Sequence, residues 1–271
     1  MQSIKKIKPH HPLLLGKVEA IIFWRRSNKL TASELFLPNN ICGLGFTLSG
    51  ELYVKYNNEF VLMPVFGTRN TLEKPSEIKT TGDFLNISIR LALPTTISIF
   101  TKVPLNELYE NSYFSLTDIF SEMETSLVIE QLLEKDSDEE KQTVMENFLV
   151  KKLIENTNFK LSEIINFIHS ANGNISVYDL SKLFTISERT IHRYFNRYVG
   201  INPIHYINLI KFRSIINLSQ SQNLNLLDEA LQVGYYDQSH FIKHFKGFTS
   251  LTPKQFFELK NITVLSDFYN T

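Results

Sequence analysis

Near the carboxyl end of the chain, five side chains of mixed chemistry recur at helical spacing. They are Gln238, Ser239, Ile242, Lys243 and Lys246. An amide, a hydroxyl, a small apolar group and cations together suit the major groove of DNA, because base edges there present donors, acceptors and methyl groups beside phosphates. The residue types therefore predict a helix face that contacts nucleic acid.

A stripe of aromatic residues positions that face. Phenylalanine recurs at i, i+4 and i+7 in Phe241, Phe245 and Phe248, which predicts a buried apolar side on the same helix. Asp237 precedes the helix and is expected to cap it, since its carboxylate accepts from free backbone N–H groups. A short helix over residues 227–231 and a tight turn at Gly234 come first. The predicted order is helix, turn, helix.

Taken alone, an amphipathic helix with a basic outer face is most often a solvated surface. The pattern recurs 50 residues earlier, however, where Ser187 corresponds to Asp237 and Arg193 to Lys243. The apolar positions correspond in the same way: Ile191 with Phe241, Phe195 with Phe245, Tyr198 with Phe248, Pro203 with Pro253 and Tyr206 with Phe256. A repeat of cap, core and cation predicts two equivalent helix-turn-helix repeats. In the first repeat the outward residues are Arg189, His192, Arg193, Asn196 and Arg197.

The segment from about residue 174 to residue 260 resembles the DNA-binding domain of AraC-type transcription regulators. The resemblance is carried by Ile191-His192-Arg193-Tyr194-Phe195, Gly200-Ile201-Asn202-Pro203, Gly234-Tyr235, Gln238-Ser239-His240-Phe241 and Leu251-Thr252-Pro253. It implies base contacts from Arg189, His192 and Arg193 in the first repeat, and from Gln238, Ser239, Ile242 and Lys243 in the second. Arg197 and Lys246 are implied to contact phosphates, with Asn196 on the same outward face.

The resemblance also implies partners. Double-stranded DNA is the first, and the others are a small-molecule effector, a second copy of the chain and, for an activator, RNA polymerase. It implies no cofactor. The sequence departs from the family pattern at Ser181, Lys211, Ile215 and Ser219. We expect slightly looser packing of the linking helix at these positions, and not a different fold.

Charge is distributed unevenly along the chain although the formal net charge is zero. Residues 160–262 carry 11 Lys and Arg against 7 Asp and Glu, a net charge of +4. Residues 118–146 carry 10 acidic residues against 2 basic ones, a net charge of −8. A modestly basic module beside an acidic stretch fits a nucleic-acid-binding domain tethered to another domain.

The first 93 residues show strand signals. Short strands are predicted over residues 42–48, where glycine interrupts, and over residues 52–56, which form a hairpin with residues 60–63 through Asn57-Asn58. Residues 85–91 alternate apolar and polar, which predicts a strand with one buried face. Helical patterns cover residues 127–154, and the acidic run around Asp138 fits a helix start.

These patterns predict an α+β protein of two domains. We expect a mainly β, sensor-like domain over residues 1–120 and a helical linker over residues 121–157. An all-α tandem helix-turn-helix domain is expected over residues 158–262, with repeats at about 174–200 and 226–250. The linker helices resemble the position at which many AraC-type regulators dimerise, and packing on their own domain is an equal alternative.

The amino-terminal half contains few residues that could form a metal or ligand site. His10 and His11 are its only histidines, and both precede the first predicted strand, so a metal site is not expected. Two interpretations of Trp24 and the arginines stay open: they line a pocket for a small anion or aromatic compound, or the aromatics are core and the arginines surface. The arginines are Arg25, Arg26, Arg69 and Arg90.

Three observations bear on function class and location. Cys42 is the single cysteine, so no intrachain disulfide forms and a reducing compartment fits. No apolar run has the roughly 20 residues that span a membrane, and we expect a cytoplasmic protein without membrane contact. Cys42 has no neighbouring His or Arg to activate it, so we do not expect an enzyme. A methyl-accepting enzyme and an interaction protein that does not bind DNA are the weaker alternatives.

Overall fold

The computed structural model describes residues 2–27, 32–37, 43–56, 58–69, 76–93, 100, 113–153, 159–221 and 226–258. Two compact units make up the chain. The amino-terminal unit takes in Met1–Glu34, Ile41–Asn70 and Glu77–Thr157, and the carboxyl-terminal unit takes in Leu35–Asn40, Thr71–Ser76 and Asn158–Thr271. The predicted boundary near residue 157 and the cysteine at position 42 lie outside the described residues.

Eight strands within the described residues form one sheet. They are β1 (Gln2–Ile7), β2 (Val18–Arg26), β3 (Ala32–Phe36), β4 (Gly43–Tyr56), β5 (Glu59–Leu62), β6 (Phe66–Arg69), β7 (Ser76–Leu91) and β8 (Tyr113–Ser115). The order is β1-β2-β7-β4-β6-β8, with β3 beside β7 and β5 beside β4. The predicted hairpin is confirmed, because Tyr56 pairs with Glu59 and Asn58 has a φ of +68°.

A single irregular strand replaces two predicted ones. The sequence pattern predicted separate strands over residues 42–48 and 52–56, whereas β4 (Gly43–Tyr56) runs through both. Its pairing with β7 shifts register between Thr47 and Ser49 and again between Ser49 and Glu51. Gly50 has a φ of +68°, and a Cβ there would lie 2.5 Å from the carbonyl oxygen of Thr81. A bulge bends a strand without ending it, so the glycine marks an irregularity and not a boundary.

Strand β7 is buried on both faces, which corrects the prediction of one buried face. Ile87 and Ile89 lie in the core as expected, but Asn86 and Arg90 are also buried. Asn86 Nδ2 donates to Thr47 Oγ1 at 3.1 Å, and Arg90 Nε lies 2.8 Å from a carboxylate oxygen of Glu19. Buried polar side chains of β7 therefore find their hydrogen-bond and ion-pair partners on the neighbouring strands.

The other arginines have separate partners. Arg25 pairs with Asp138, and Arg26 is buried and donates to Thr80 Oγ1 at 3.0 Å. Trp24 is a core residue whose ring meets Phe84 edge-on at 4.9 Å. The interpretation of the aromatics as core is confirmed, whereas its placement of the arginines at the surface is wrong for Arg26 and Arg90. The side chain of Arg69 lies outside the described residues.

Three described helices complete the amino-terminal unit: α1 (Thr117–Phe120), α2 (Glu122–Leu133) and α3 (Asp138–Lys152). Ser137 caps α3 in a capping box, with its Oγ accepting from Glu140 N at 3.2 Å. Phe148 of α3 meets Phe46 and Phe66 of the sheet edge-on, at 6.1 Å each. Helix α3 therefore packs on the sheet of its own unit, and dimerisation stays a prediction.

A buried carboxylate ties α3 to the residues that follow β1. Glu146 accepts from the backbone N–H groups of His10 and His11, at 2.9 and 2.8 Å. Gln142 Nε2 donates to the same carboxylate at 2.6 Å and to the carbonyl oxygen of Lys8 at 2.9 Å. The two histidines therefore serve the fold through their backbone.

Helices make up the described part of the carboxyl-terminal unit from residue 159 onward. They are α4 (Phe159–Ser170), α5 (Val177–Leu183), α6 (Glu188–Tyr198), α7 (Pro203–Ser221), α8 (Leu226–Gln232), α9 (Gln238–Thr249) and α10 (Pro253–Glu258). With a mainly β amino-terminal part and an α-helical carboxyl-terminal part, the predicted α+β class is confirmed. Among the described helices, none combines the length and the apolarity needed to cross a membrane.

Candidate nucleic-acid interface

Local hydrogen bonds define the turn of the first repeat, α5–α6. Thr185 has a φ of +52°, and Ile186 N donates back to the carbonyl oxygen of Ser181 at 3.1 Å. A single residue in the left-handed conformation thus ends helix α5, and the N–H that follows it bonds to a carbonyl oxygen at the end of the helix. Ser187 Oγ then accepts from Thr190 N at 3.2 Å and caps α6, which confirms the predicted cap.

The second repeat, α8–α9, is built the same way. Gly234 has a φ of +88°, and Tyr235 N donates to the carbonyl oxygen of Ala230 at 2.9 Å. Asp237 Oδ1 accepts from His240 N at 2.8 Å and caps α9. The predicted cap and turn of this repeat are therefore also confirmed.

Residues outside the second repeat hold its turn in place. Lys211, on α7, donates from Nζ to the carbonyl oxygen of Gly234 at 3.2 Å and lies 5.6 Å from the ring of Tyr235. A Cβ on Gly234 would lie 2.2 Å from Oδ1 of Asn174. Because φ is positive and the amide is so close, only glycine fits this position.

The two repeats differ by one residue in the turn. Helix α9 begins 50 residues after α6, and α10 begins 50 residues after α7. The left-handed turn residues Thr185 and Gly234 are 49 positions apart. The second repeat therefore has one additional residue between its turn and its cap, and that residue is Tyr236.

The apolar stripes of α6 and α9 lie in the core. Ile191 and Phe195 are buried in α6, and Phe241, Phe245 and Phe248 are buried in α9. Tyr198 is only half-buried, contrary to the prediction, and Val199 is fully buried beside it. The Tyr198 ring instead lies 5.5 Å from the guanidinium of Arg197 and contacts Tyr194 edge-on.

None of the ten predicted contact residues is buried. His192 and Ile242 are half-buried, and the exposed ones are Arg189, Arg193, Asn196, Arg197, Gln238, Ser239, Lys243 and Lys246. At about 100° per residue, Arg193 and Lys243 point away from the buried stripes of their helices. Gln238 and Ile242 lie on one side of α9, between the buried stripe and Lys243.

The outward faces are positively charged. Helix α6 presents Arg189, Arg193 and Arg197, and α9 presents Lys243 and Lys246. Throughout the described ranges, none of these five cations is paired with a carboxylate. Their charge therefore stays available to a phosphate-bearing partner.

Solved structures that are similar to the chain include those of ToxT and CuxR. ToxT from Vibrio cholerae is 17% identical, over 87% of this chain and 96% of that chain, with a TM-score of 0.46. The AraC-like transcriptional activator CuxR is 14% identical, over 84% of this chain and 86% of that chain, with a TM-score of 0.34.

Among curated proteins, the similarity lies in part of the chain. An uncharacterized HTH-type transcriptional regulator of Haemophilus influenzae is 27% identical over 93 residues, which are 34% of this chain and 31% of the relative. The HTH-type transcriptional activator RhaS of Enterobacter is 25% identical over 104 residues, 38% of this chain and 37% of the relative. The chain thus matches about a third of the length of these relatives.

A family model described as a helix-turn-helix domain matches residues 180–258. This range begins within α5 and covers α6, the joining helix α7 and the whole second repeat. Residues 180–258 are a helix-turn-helix domain of the AraC type. The resemblance predicted from the motifs is confirmed for this AraC-type domain.

Burial changes the proton affinity of groups that support the AraC-type domain. Burial lowers the pKa of His169 to about 4, and the charge of Arg213 contributes to the shift. His169 Nε2 lies 2.7 Å from Tyr206 Oη. Burial also lowers the pKa of His244, with smaller contributions from His240 and neighbouring cations, and it lowers the pKa of Lys211.

Two positions of the AraC-type domain were not predicted from the sequence. Tyr236 is 89% exposed and directly precedes the cap of α9. Gly247 corresponds to Arg197 at the 50-residue offset, and a Cβ there would meet nothing within 4 Å. Aligning the turns as well as the helices would have identified Tyr236, because only the turns differ in length.

Within the described residues, no three or more His, Cys, Asp or Glu side chains form a group suited to a metal ion. The arrangement offers instead two capped helices with outward cations, amides and hydroxyls. These groups are suited to binding, through hydrogen bonds and charge, a polyanion with polar base edges.

Proposed function

We propose that the chain is a sequence-specific DNA-binding transcription regulator that contacts two neighbouring major-groove segments through α6 and α9. One observation carries the proposal: two capped helices, beginning 50 residues apart, each turn an apolar stripe inward and cations outward. One basic helix is common on protein surfaces. Two equivalent ones, joined by the single helix α7, are the arrangement that contact with two successive major-groove segments requires.

The contacts divide by chemistry. Arg189, His192 and Arg193 contact base edges in the first segment, where arginine pairs bidentately with guanine. In the second segment the base contacts come from Gln238, Ser239, Ile242 and Lys243. Gln238 suits adenine and Ile242 suits a thymine methyl. Arg197 and Lys246 contact phosphates, which position the protein without specifying sequence, and Asn196 lies on the same face.

The amino-terminal unit is proposed to control this binding. A small-molecule effector or a second copy of the chain would act through it, and RNA polymerase is a further partner if the protein activates transcription. RhaS is named a transcriptional activator, which supports a regulatory role over a purely architectural one. The protein is proposed to act in the cytoplasm and to have no enzymatic activity.

The test uses the full chain and a labelled duplex recovered by that chain from a random-sequence pool. Fluorescence anisotropy at two salt concentrations measures its affinity, with a scrambled duplex of equal length for comparison. We expect affinity to fall steeply with salt, with a slope of about −0.9 per phosphate contact in a plot of log K against log salt. Recovery of no preferred duplex would contradict the proposal.

Variants assign the contacting face. Replacing Arg193 and Lys243 together by alanine should abolish the preference for the recovered duplex and leave the melting temperature unchanged, because both side chains are exposed. Lys151→Ala, an exposed cation on α3, is the control for charge and should keep the preference. If the double variant keeps it too, the contacting face is assigned wrongly.

The same measurements separate the alternatives. An interaction protein that does not bind DNA would show neither salt-dependent affinity nor sequence preference. An enzyme that accepts methyl groups would gain mass at Cys42 when given methylated DNA, and we expect no such gain.

A further inference from the structure

The turn of the second repeat contains a residue that the first repeat lacks. Tyr235 follows the left-handed residue and is buried, whereas Ile186 at the same place in the first repeat is half-buried. The N–H of each closes the same type of bond to the preceding helix. The first repeat then passes directly to its cap, Ser187. The second inserts Tyr236 before its cap, Asp237.

Tyr236 does nothing for the core of the domain. Its side chain is 89% exposed, the highest value among the large apolar and aromatic residues exposed in the described ranges. A residue inserted to complete the fold would be expected to bury its ring, because an aromatic side chain gains most of its stabilising energy from burial. An exposed ring at a lengthened turn is better explained by a contact outside the chain.

The backbone of Tyr236 is held in place although its side chain is free. Its N–H donates to Nδ1 of His240 at 3.4 Å. The His240 ring in turn contacts His244 at 4.4 Å and Tyr235 at 5.3 Å. The insertion is thus fixed to the first turn of α9, the part of a recognition helix that contacts base edges in helix-turn-helix complexes.

We propose that Tyr236 is a DNA-positioning residue whose phenolic hydroxyl donates a hydrogen bond to a phosphate oxygen beside the second major-groove segment. This inference rests on the proposed function. Tyr236 precedes the cap and lies outside the first turn of α9, which places it towards the phosphates that border the groove. Tyrosine is among the side chains that donate to phosphates. The carboxylate of Asp237 already accepts from the backbone N–H of His240 as the cap. The uncharged hydroxyl of Tyr236 beside it therefore suits a phosphate anion better than this carboxylate does.

A phosphate contact from a neutral side chain has a distinctive signature. It adds affinity for every sequence equally, because phosphates carry no sequence information. It leaves the salt dependence unchanged, because no cation is added or removed and counterion release is set by charge. Lys246, which is proposed to contact a phosphate, should by contrast change the salt slope by about 0.9 when removed.

The experiment compares Tyr236→Ala and Tyr236→Phe in the full chain, on the recovered duplex and on the scrambled duplex. We expect each variant to weaken binding about tenfold, as the loss of a hydrogen bond to a charged group does. The loss should be equal on both duplexes, with an unchanged salt slope and melting temperature. Ile204→Ala, which truncates an exposed side chain on α7, is the control and should bind like the unaltered chain.

Each other outcome overturns the inference. Unchanged affinity of Tyr236→Ala would mean that the ring makes no contact with DNA. Full affinity of Tyr236→Phe beside a weakened Tyr236→Ala would mean that the ring, and not the hydroxyl, makes the contact. A loss confined to the recovered duplex would assign Tyr236 to a base. If the unaltered chain shows no salt-dependent binding, the proposed function fails first, and the two failures are thereby distinguished.

Discussion

Gly247 and Gly234 lie in opposite stereochemical situations. Gly247 is in the interior of α9, and a Cβ there would meet nothing within 4 Å. Gly234 has a φ of +88°, and a Cβ there would lie 2.2 Å from Asn174 Oδ1. Gly247 destabilises α9, because glycine gives the unfolded chain more conformational entropy to lose on folding, whereas Gly234 is required by its turn.

We predict opposite effects of the same substitution at these glycines. Gly247→Ala should raise the free energy of unfolding by roughly 0.5–1 kcal/mol, the usual gain at an exposed helical position. Gly234→Ala should lower it by more than about 1 kcal/mol, because alanine is strained at positive φ and also meets Asn174. Urea denaturation of both variants measures the difference. A gain in stability for Gly234→Ala would contradict the described turn.

His169 makes stability depend on pH. Its folded-state pKa of about 4 lies below its ordinary value of 6.5, so the unfolded chain takes up the proton first as pH falls. The contribution of this pKa shift to the free energy of unfolding is complete above pH 6.5 and is lost progressively as pH falls towards 4. A shift of this size corresponds to roughly 3 kcal/mol.

We predict that His169→Gln reduces the loss of stability between pH 6.5 and pH 4. Glutamine keeps a donor and an acceptor near Tyr206 Oη but does not titrate. The free energy of unfolding is measured across this range for both proteins, and the difference between them isolates the histidine from the carboxylates. Parallel profiles would show that His169 is protonated equally in both states.

Among the elements, those fixed by nearby residues were predictable from sequence. The caps Ser187 and Asp237 were predicted because a cap depends on residues two or three positions away. The buried phenylalanines of α9 followed from helical period. The burial of Arg90 could not be predicted, since its partner Glu19 is distant in sequence and adjacent only in the sheet.

The interface was predictable to a similar extent. Helical period places Arg193 and Lys243 outward, and the structure shows both exposed, although their contact with DNA stays a prediction. Tyr236 was missed because an offset of 50 residues aligns the helices and conceals the longer turn. The division of β4 was wrong because a glycine in a bulge and a glycine at a strand end have the same sequence signal.

A cap substitution tests the second repeat as an element. Asp237→Ala should lower the free energy of unfolding by about 1 kcal/mol, because the N–H of His240 loses its partner. Asp237→Asn should retain most of the stability, since asparagine caps about as well as aspartate. Both are measured by chemical denaturation. Equal losses in the two variants would show that the carboxylate charge at the helix start matters more than the hydrogen bond.

Across the AraC-type domain as a whole, α7 sets the distance between the two repeats. It has 19 residues, which corresponds to about 28 Å at 1.5 Å per residue. With the packed repeats at either end, we expect the separation of α6 and α9 to approach one turn of B-DNA, about 34 Å. Some bending of the duplex towards the protein, at a cost of order 1–6 kcal/mol, would improve the fit.

We predict that footprinting of the full chain on its recovered duplex shows two protected patches on one face, about 10 base pairs apart. Replacing Gln238 and Lys243 together by alanine should remove one patch and leave the other, because both residues belong to the second repeat. A single patch that this double variant leaves unchanged would mean that α9 supports the fold without entering the groove.

The turn of the second repeat accepts a hydrogen bond from Lys211 and lies beside Asn174, and both residues precede α8 in the chain. The second repeat is therefore not structurally independent of the residues that precede it. A recombination that exchanged only residues 226–258 between two relatives would separate Gly234 from the amide and the amine that surround it. An exchange that also includes Asn174 and Lys211 would keep both neighbours of Gly234, so the whole domain, rather than one repeat, is the unit that transfers with its turn intact.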